Sequence, residues 1–280
     1  MIQALRETGK RSAGWLLSRT SDLFSYRNCV FVLAHMRCGS TALSNILCSR
    51  DDISGYGEAH VRHDGPGALG RLAINQMRRE GWKPGARLLF DKILHNRHDA
   101  QAWPEFFEAR AIFIARRPDE TIASIANLFA RLERQAYDTP LKAAGYYAER
   151  VEALARLWPH FPPHRRIGIL HEQLLQAPDE TLARISGRLR FDPPLRNEYI
   201  STAASRERGG GDPLVSGQYN RIEPSLLCPK GTTIMAELPD PLQARVNDAY
   251  RQLTAQFDLP LGVPLLRSTP NIRINSDIIP

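Results

Sequence analysis

The sequence VFVLAHMRCGSTALSNILCSR, residues 30–50, predicts the fold of this chain and the place of its functional site. It opens with the apolar run VFVLA, which is short and rich in β-branched and aromatic residues, as buried strands are. A tight turn follows, and Ser40 and Thr41 then begin a segment whose apolar residues have helical spacing. A strand, a glycine-containing turn and a helix N-terminus together often bind phosphate, because the first N–H groups of a helix have no intrahelical acceptor.

The turn itself supplies candidate ligands for an anion. Arg37 provides a fixed positive charge, and the hydroxyls of Ser40 and Thr41 can donate hydrogen bonds. The GxxxxGK[ST] signature of nucleotide-triphosphate loops is absent, since Ser40 stands where that signature has lysine. On this stretch alone, a strand-turn-helix without a ligand remains the alternative to an anion site.

Composition favours one domain and an anionic partner. The 280 residues fit one large domain or two small ones, and because the sequence has no internal repeat we predict a single domain over residues 1–280. A hydrophobic fraction of 42% suffices for a sizeable core. The net charge of +7 predicts an anionic partner, and the scattered arginines favour a phosphorylated cofactor over nucleic acid.

Cysteines and apolar runs predict a cytoplasmic protein. The four cysteines form no CxxC pair, so we expect reduced thiols rather than disulfides or a zinc site. The N-terminus lacks the apolar core of a signal peptide, and no run reaches membrane-spanning length. Residues 1–27 mix leucine and tryptophan with arginine and lysine, which predicts a helical segment packed on its own domain, with weak peripheral membrane contact as the alternative.

Strand-like and helix-like segments alternate along the chain. Strands are predicted at residues 30–34, 87–90, 111–115 and 167–170, and helices at 69–80, 118–133, 141–158, 179–189 and 242–257. The alternation predicts an α/β three-layer sandwich, in which helices flank a mostly parallel central sheet. The polar, glycine-rich region 201–235 predicts a mobile loop or lid, and residues 263–280 predict a surface tail.

In such a sheet the functional site lies at the carboxyl ends of the strands. Four charged residues fall at or just past those ends: Arg37, Glu58, Lys92 and Arg116. We therefore predict that they line one site. The spacings His60/His63 and His95/His98 could suit metal ligands, but these residues lie in loops without a third ligand, so we expect surface histidines and no metal site.

Three segments at predicted strand ends carry a family resemblance. Residues 37–41 read Arg-Cys-Gly-Ser-Thr, residues 116–119 read Arg-Arg-Pro-Asp with Ser124 after them, and residues 171–175 read His-Glu-Gln-Leu-Leu. In this order they resemble the RxGST phosphosulfate loop, the 3′-phosphate site and the YEDL segment of sulfotransferases that use 3′-phosphoadenosine 5′-phosphosulfate (PAPS). The resemblance covers roughly residues 30–189, and the combination is more specific than any one motif.

The resemblance implies where the cofactor binds. The 5′-phosphate and bridging region would be held by a P-loop-like loop that consists of Arg37, Cys38, Gly39, Ser40 and Thr41. Cysteine is an uncommon residue at its position in this motif, and the resemblance implies that only its backbone N–H contributes. Arg116 and Ser124 would hold the 3′-phosphate, which distinguishes PAPS from ATP. Lys230-Gly231 is similar to the Lys-Gly of heparan-type glucosaminyl sulfotransferases and would add further cofactor contacts.

The resemblance also implies a catalytic base. Cytosolic members have a histidine two residues after a lysine, whereas here His95 stands three residues after Lys92. The heparan-type members carry an acid-x-His segment after the first helix, and Glu58-Ala59-His60 is similar to it. Glu58 is therefore the implied base and Lys92 the implied catalytic lysine, while His60 and His95 stay as alternative bases.

We therefore expect in-line sulfuryl transfer from PAPS to a hydroxyl or amine of a carbohydrate, lipid or small-molecule acceptor. Arg37 and Lys92 would stabilise the charge on the sulfuryl group and the leaving phosphate, so that no metal is required. Two other classes stay open. One is a P-loop kinase or NTPase that uses ATP and Mg²⁺ with Asp91 on the metal, and the other is a non-catalytic nucleotide- or RNA-binding domain.

Overall fold

A five-stranded sheet forms the centre of the computed structural model, which describes residues 12–202, 217–223 and 233–259. Its strands are β1 (Cys29–Ala34), β2 (Ile53–Ser54), β3 (Leu88–Ile93), β4 (Arg110–Ala115) and β5 (Arg166–Leu170). They lie in the order β2-β3-β1-β4-β5, and every pairing is parallel. The predicted α/β class is confirmed, and all the carboxyl ends lie on the same side of the sheet.

Helices connect and flank these strands: α1 (Ser40–Ser49), α2 (Ala68–Arg78), α3 (Pro118–Arg131), α4 (Pro140–Leu157), α5 (His171–Gln176), α6 (Pro178–Leu189) and α7 (Asp240–Thr254). Residues 12–17 are also helical. Proline stands in the first turn of α3, α4 and α6, where its missing N–H leaves no hydrogen bond unmade. The bounds predicted for these three helices from the sequence agree with the observed ones to within two residues. By contrast, α5, which begins directly after β5, was not predicted as a helix.

The two faces of β1 pack into separate hydrophobic clusters, because successive side chains of a strand point to opposite faces. Phe31 and Leu33 belong to a cluster that includes buried residues of α2, α3, α4 and α7. Val30 and Val32 belong to a second cluster, which includes buried residues of α1, α5 and α6. The sheet is thus covered on both faces, and this explains why β1 reads as an unbroken apolar run.

One buried side chain, Arg150 of α4, joins the carboxyl ends of β1 and β3. Its Nε donates to the carbonyl of Ala34 at 3.0 Å, and its Nη2 donates to the carbonyl of Ile93 at 2.8 Å. Its Nη1 donates to side-chain oxygens of Asn96 and Asp99, each at 2.9 Å. Arg150 and Asp99 are only 1% and 2% exposed, so they form an ion pair inside the protein.

Part of the predicted organisation lies outside the described residues. This part includes Lys230 and Gly231, most of the predicted loop 201–235 and the predicted tail 263–280. Of the four cysteines, the three within the described ranges are free and buried. None of the helices seen in these ranges has the length and apolar character needed to cross a membrane.

We predict that Arg150→Met destabilises the protein by about 3–5 kcal/mol, because it leaves the Asp99 carboxylate buried without its cation. Urea unfolding measures this change. Arg245→Met is the matched control, since Arg245 of α7 pairs with Glu152 of α4 at 2.7 Å but is about half exposed. That exposed pair should contribute less than about 1 kcal/mol. An Arg150→Met protein that unfolds at the wild-type urea concentration would contradict the role given to this ion pair.

Candidate active site

A cavity of about 470 Å³ lies at the carboxyl side of the sheet. Seven residues predicted from the sequence contribute to its lining: Arg37, Gly39, Ser40, Thr41, Glu58, Lys92 and Arg116. Two more predicted residues, Cys38 and Ser124, do not line the cavity. Cys38 is fully buried, and Ser124 accepts a hydrogen bond from the lining residue Arg37. The expectation that the site lies at the carboxyl ends of the strands, here called the strand-end rule, thus brought together residues that are far apart in sequence.

The turn after β1 depends on unusual backbone angles. Arg37 has φ 65° and Gly39, which precedes α1, has φ 82°, a region that side-chain-bearing residues seldom adopt. A Cβ atom on Gly39 would lie 2.7 Å from Nδ1 of His171, so an alanine would collide with the imidazole. His171 Nδ1 in turn donates to the carbonyl of Cys38 at 3.0 Å. The turn is therefore built around a glycine and supported by the first residue of α5.

A second histidine, His35, sets the distance between this turn and the end of β4. The backbone N–H of Arg116 donates to Nε2 of His35 at 3.1 Å, so that nitrogen must be an acceptor. Nδ1 therefore carries the proton and donates to the carbonyl of Met36 at 2.9 Å. Because His35 is fully buried, burial lowers its pKa to about 3 and keeps the ring neutral.

The two predicted phosphate-binding elements touch each other. Nε of Arg37 donates to Oγ of Ser124 at 2.8 Å, and Nη1 of Arg116 donates to the carbonyl of Arg37 at 2.9 Å. The other edge of the Arg116 guanidinium faces Glu120, with Nη2 2.8 Å from the carboxylate. Burial alone would raise the pKa of Glu120, but hydrogen bonds from Arg116 and Arg117 outweigh it and lower the pKa. The carboxylate thus remains charged and holds both arginines.

Glu58 and Lys92 both line the cavity, and their charged groups lie close together. Nζ of Lys92 lies 3.7 Å from Oε1 of Glu58 and donates to Oγ1 of Thr41 at 3.4 Å. The second Glu58 oxygen lies 3.8 Å from Nδ1 of His60. Burial raises the pKa of Glu58, although the neighbouring Lys92 and His60 oppose this shift. Lys92 therefore connects the helix N-terminus that carries Thr41 with the candidate base.

Asp91 does not occupy the place that a magnesium ligand would need. It lies inside β3, is 1% exposed and does not contribute to the cavity lining. Its carboxylate accepts from the backbone N–H of Ala59 at 2.9 Å and contacts Nε2 of His63 at 3.2 Å. The kinase alternative, which put Asp91 on the metal, therefore has no support from this geometry.

The prediction that all four loop histidines lie on the surface was wrong for two of them. His63 is fully buried and His98 is 8% exposed, whereas His95 is half-buried and only His60 is exposed. His63 is buried because it contacts Asp91 and packs against Phe31, with ring centroids 4.9 Å apart. Across the described ranges, no group of three or more His, Cys, Asp or Glu is placed to hold a metal ion.

Some residues of the cavity were not predicted from the sequence. They are Met36, Asn45, Leu94, Leu128, His171, Tyr199, Tyr219 and Arg221. His171 could have been found, because it directly follows β5 and so satisfies the same strand-end rule as Arg116. Tyr199 and Tyr219 lie in irregular segments that are paired through the Tyr199 N–H and the Asn220 carbonyl, 2.7 Å apart. No local pattern in the sequence signals that pairing.

The fold has counterparts among solved structures. It is similar to a sulfotransferase domain from the curacin biosynthetic pathway, with TM-score 0.54 and 19% identity, covering 82% of this chain and 98% of that one. It is also similar to a sulfotransferase domain from the Synechococcus PCC 7002 olefin synthase, with TM-score 0.55 and 21% identity, covering 83% and 95%. At these identities the likeness shows the fold.

The sequence gives the family more directly. The profile described as "Sulfotransferase family" matches residues 67–192.

This match covers a little under half of the chain, and it places residues 67–192 in the sulfotransferase family.

Family and fold together indicate a sulfotransferase enzyme, which transfers sulfuryl groups. The matched segment of the sulfotransferase contains Lys92, Arg116, Ser124 and His171, while the turn after β1 and Glu58 precede it. A search of curated proteins found no match to this sequence.

We predict that the sulfotransferase loses stability as the pH falls from 7 to 5. Burial lowers the pKa of His171 to about 4 and of His35 to about 3, from an ordinary value of 6.5. Below pH 6.5 the unfolded chain therefore binds more protons than the folded one. The stabilising contribution of each histidine is complete above about pH 6.5 and is lost as the pH falls towards 4, at no more than about 1.4 kcal/mol per pH unit.

Thermal unfolding at several pH values checks this prediction. His171→Gln should reduce the dependence of Tm on pH, because glutamine does not titrate. The exposed His164 provides the control, and His164→Gln should leave the dependence as it is in the wild type. Identical pH dependence in His171→Gln and the wild type would contradict the assignment of a buried neutral imidazole at this position.

Proposed function

We propose that this sulfotransferase uses PAPS as its donor and that Glu58 is the base that accepts the acceptor's proton. The observation that carries the proposal is the position of Lys92. Its ammonium group lies 3.4 Å from the Thr41 hydroxyl and 3.7 Å from the Glu58 carboxylate, so one cation borders both the helix N-terminus and the candidate base. During transfer the sulfuryl group needs the helix N-terminus on the side of the leaving phosphate and the base on the side of the acceptor.

The cavity suits a nucleotide with two phosphate-bearing ends. Arg37, Ser40 and Thr41 surround the helix N-terminus, where backbone N–H groups and the helix dipole favour an anion. Arg116 and Ser124 stand beside this group, and Arg37 contacts both of them. These features support PAPS, whose 5′-phosphosulfate and 3′-phosphate would occupy the two neighbouring cationic regions.

The residues have separable tasks in the proposed reaction. Bound PAPS would supply an activated sulfuryl group and leave as 3′,5′-ADP. Arg37 and Lys92 would stabilise negative charge as it moves from the sulfuryl group to the departing phosphate. Glu58 would take the proton of the acceptor hydroxyl or amine, and its pKa, raised by burial, makes it a stronger base than an exposed carboxylate. These fixed cations occupy the role that Mg²⁺ has in phosphoryl transfer, so we propose that no metal is required.

The acceptor is proposed only as a class: a carbohydrate, lipid or small molecule that presents a hydroxyl or amine. The alternative of a non-catalytic nucleotide- or RNA-binding domain predicts affinity without turnover. Transfer from ³⁵S-labelled PAPS to a panel of 4-nitrophenol, 1-octanol and glucosamine separates the two. Label that stays on the nucleotide with every acceptor and with water would favour the binding domain.

Nucleotide selectivity should depend on Arg116. We predict at least tenfold tighter binding of 3′,5′-ADP than of 5′-AMP, and that Arg116→Ala removes most of this preference. A charge-assisted hydrogen bond contributes about 1.5–3 kcal/mol, which corresponds to a tenfold to hundredfold loss. Isothermal titration calorimetry measures both nucleotides. Arg117→Ala is the control, because Arg117 also pairs with Glu120, at 2.6 Å, but does not line the cavity. Equal affinity of the wild type for both nucleotides would contradict the PAPS proposal.

Glu58→Gln should separate chemistry from binding. Glutamine keeps the size of the side chain but cannot accept the proton, so single-turnover transfer should fall about 10²–10⁴-fold. The affinity for 3′,5′-ADP should change little, since the side chain contacts Lys92 rather than the Arg116 region. His60→Gln, which removes the neighbouring alternative base, should cost less than Glu58→Gln. Ordinary turnover in Glu58→Gln would transfer the role of base to His60 or His95.

A further inference from the structure

The irregular segment 57–64, here called the Glu58 segment, is bonded to the buried carboxylate of Asp91. Asp91 and Lys92 are neighbours on β3, and their side chains point to opposite faces of the sheet. Lys92 lines the cavity, whereas Asp91 belongs to the face that packs against Phe31 and Phe106 through His63. A charged group in such surroundings needs strong partners, because burial without them is very unfavourable.

Within the described ranges the Asp91 carboxylate has two hydrogen-bond partners, Ala59 and His63, and both belong to the Glu58 segment. One carboxylate oxygen accepts from the backbone N–H of Ala59 at 2.9 Å. The other lies 3.2 Å from Nε2 of His63, whose Nδ1 is 3.4 Å from the hydroxyl of Tyr26. The Asp91 carboxylate thus contacts this segment at two points, four residues apart.

Further hydrogen bonds fix the backbone on both sides of Glu58. The N–H of Lys92 donates to the carbonyl of Gly57 at 3.1 Å. The side-chain amide of Asn75 donates to the carbonyl of Ala59 at 2.9 Å. The residues before and after Glu58 are therefore each bonded to β3, one to the backbone of Lys92 and the other to the side chain of Asp91.

From these contacts we infer that Asp91, itself supported by His63, is a positioning residue that holds the Glu58 carboxylate beside Lys92 for proton transfer. The inference rests on the proposed function, in which Glu58 is the base. Asp91 itself is buried away from the cavity and acts only through the Ala59 N–H and His63. A displacement of the base by about 1 Å can cost on the order of a hundredfold in rate, so a residue of this kind affects turnover without touching substrate.

Asp91→Ala tests the inference because alanine removes the acceptor of the Ala59 N–H. We expect kcat for transfer from ³⁵S-labelled PAPS to the fastest acceptor of the panel to fall about 10- to 100-fold. The Kd of 3′,5′-ADP should stay within about twofold of the wild type, which also shows that the variant folds. Asp91→Asn retains an acceptor oxygen and should recover part of the lost rate. The control is Asp64→Ala, which removes a carboxylate of the same segment that pairs with Arg71 rather than with Ala59.

A double-mutant cycle shows whether Asp91 acts through Glu58. In the Glu58→Gln background, Asp91→Ala should reduce the rate by less than about threefold, because the base that it positions is already absent. A loss of the same size in both backgrounds would overturn the inference, as would wild-type kcat in Asp91→Ala. If Asp91→Ala does not bind 3′,5′-ADP, Asp91→Asn takes its place in the cycle, and a loss of the same size in both backgrounds would again overturn the inference.

Hydrogen exchange supplies a measurement that needs no turnover. In the ligand-free protein, the Ala59 amide should exchange at least tenfold faster in Asp91→Ala than in the wild type, and at the wild-type rate in Asp64→Ala. Unchanged exchange at Ala59 would overturn the inference. If the wild type transfers no label from PAPS, the proposed function fails, but the exchange measurement still reports whether Asp91 holds the Glu58 segment.

Discussion

The buried ion pair between Arg150 and Asp99 is the interaction on which the site geometry depends. The Arg150 guanidinium donates hydrogen bonds to the last carbonyls of β1 and β3. After β1 the chain enters the turn that contains Arg37, and after β3 it enters the 94–99 loop. A buried ion pair is a poor source of net stability, because removing two charges from water offsets most of their attraction. Its contribution here is positional: it fixes two neighbouring strand ends that carry Arg37 and Lys92.

Neutral and charged groups have different roles around the cavity. His35 is buried and neutral, and joins the turn after β1 to the end of β4 by two hydrogen bonds to backbone groups. Arg37, Lys92 and Arg116 bring fixed positive charge to the cavity lining, and Glu58 brings a negative one. The backbone is thus held largely by groups that do not enter the cavity, which leaves the charged side chains on its wall to act on a ligand. Such preorganisation is what electrostatic catalysis requires.

Much of the fold and part of the site could be predicted from the sequence, because both follow from local patterns. The apolar runs at β1 and β4 identify strands, and the strand-end rule then places Arg37 and Arg116 in one cavity. The Glu58 segment is irregular. Its position after a strand end placed Glu58 near the site, and only the resemblance to an acid-x-His motif gave it the role of base. The sequence predicted that Glu58 and Lys92 share one site, but it did not predict the distance of 3.7 Å between their charged groups.

The remaining features depend on contacts between distant residues. Arg150 lies in the middle of a regular helix, where nothing in the sequence distinguishes it from an exposed arginine. The burial of His63 follows from its pairing with Asp91, 28 positions away, and loop composition alone suggested the opposite. His35 reads as one more residue of a tight turn, yet its tautomer is set by a backbone N–H 81 positions later. Such pairings come from tertiary structure, which periodicity and motif spacing do not describe.

We propose that fixed arginine and lysine side chains, with Glu58 as base, transfer a sulfuryl group without a metal. This proposal is tested most directly by a single-turnover reaction of the purified protein with ³⁵S-labelled PAPS in excess EDTA, with the acceptor panel present. We expect that label moves from the nucleotide to an acceptor and that added Mg²⁺ does not change the rate. Transfer that is abolished by EDTA and restored by Mg²⁺, or label that never leaves the nucleotide while ATP is consumed, would contradict it.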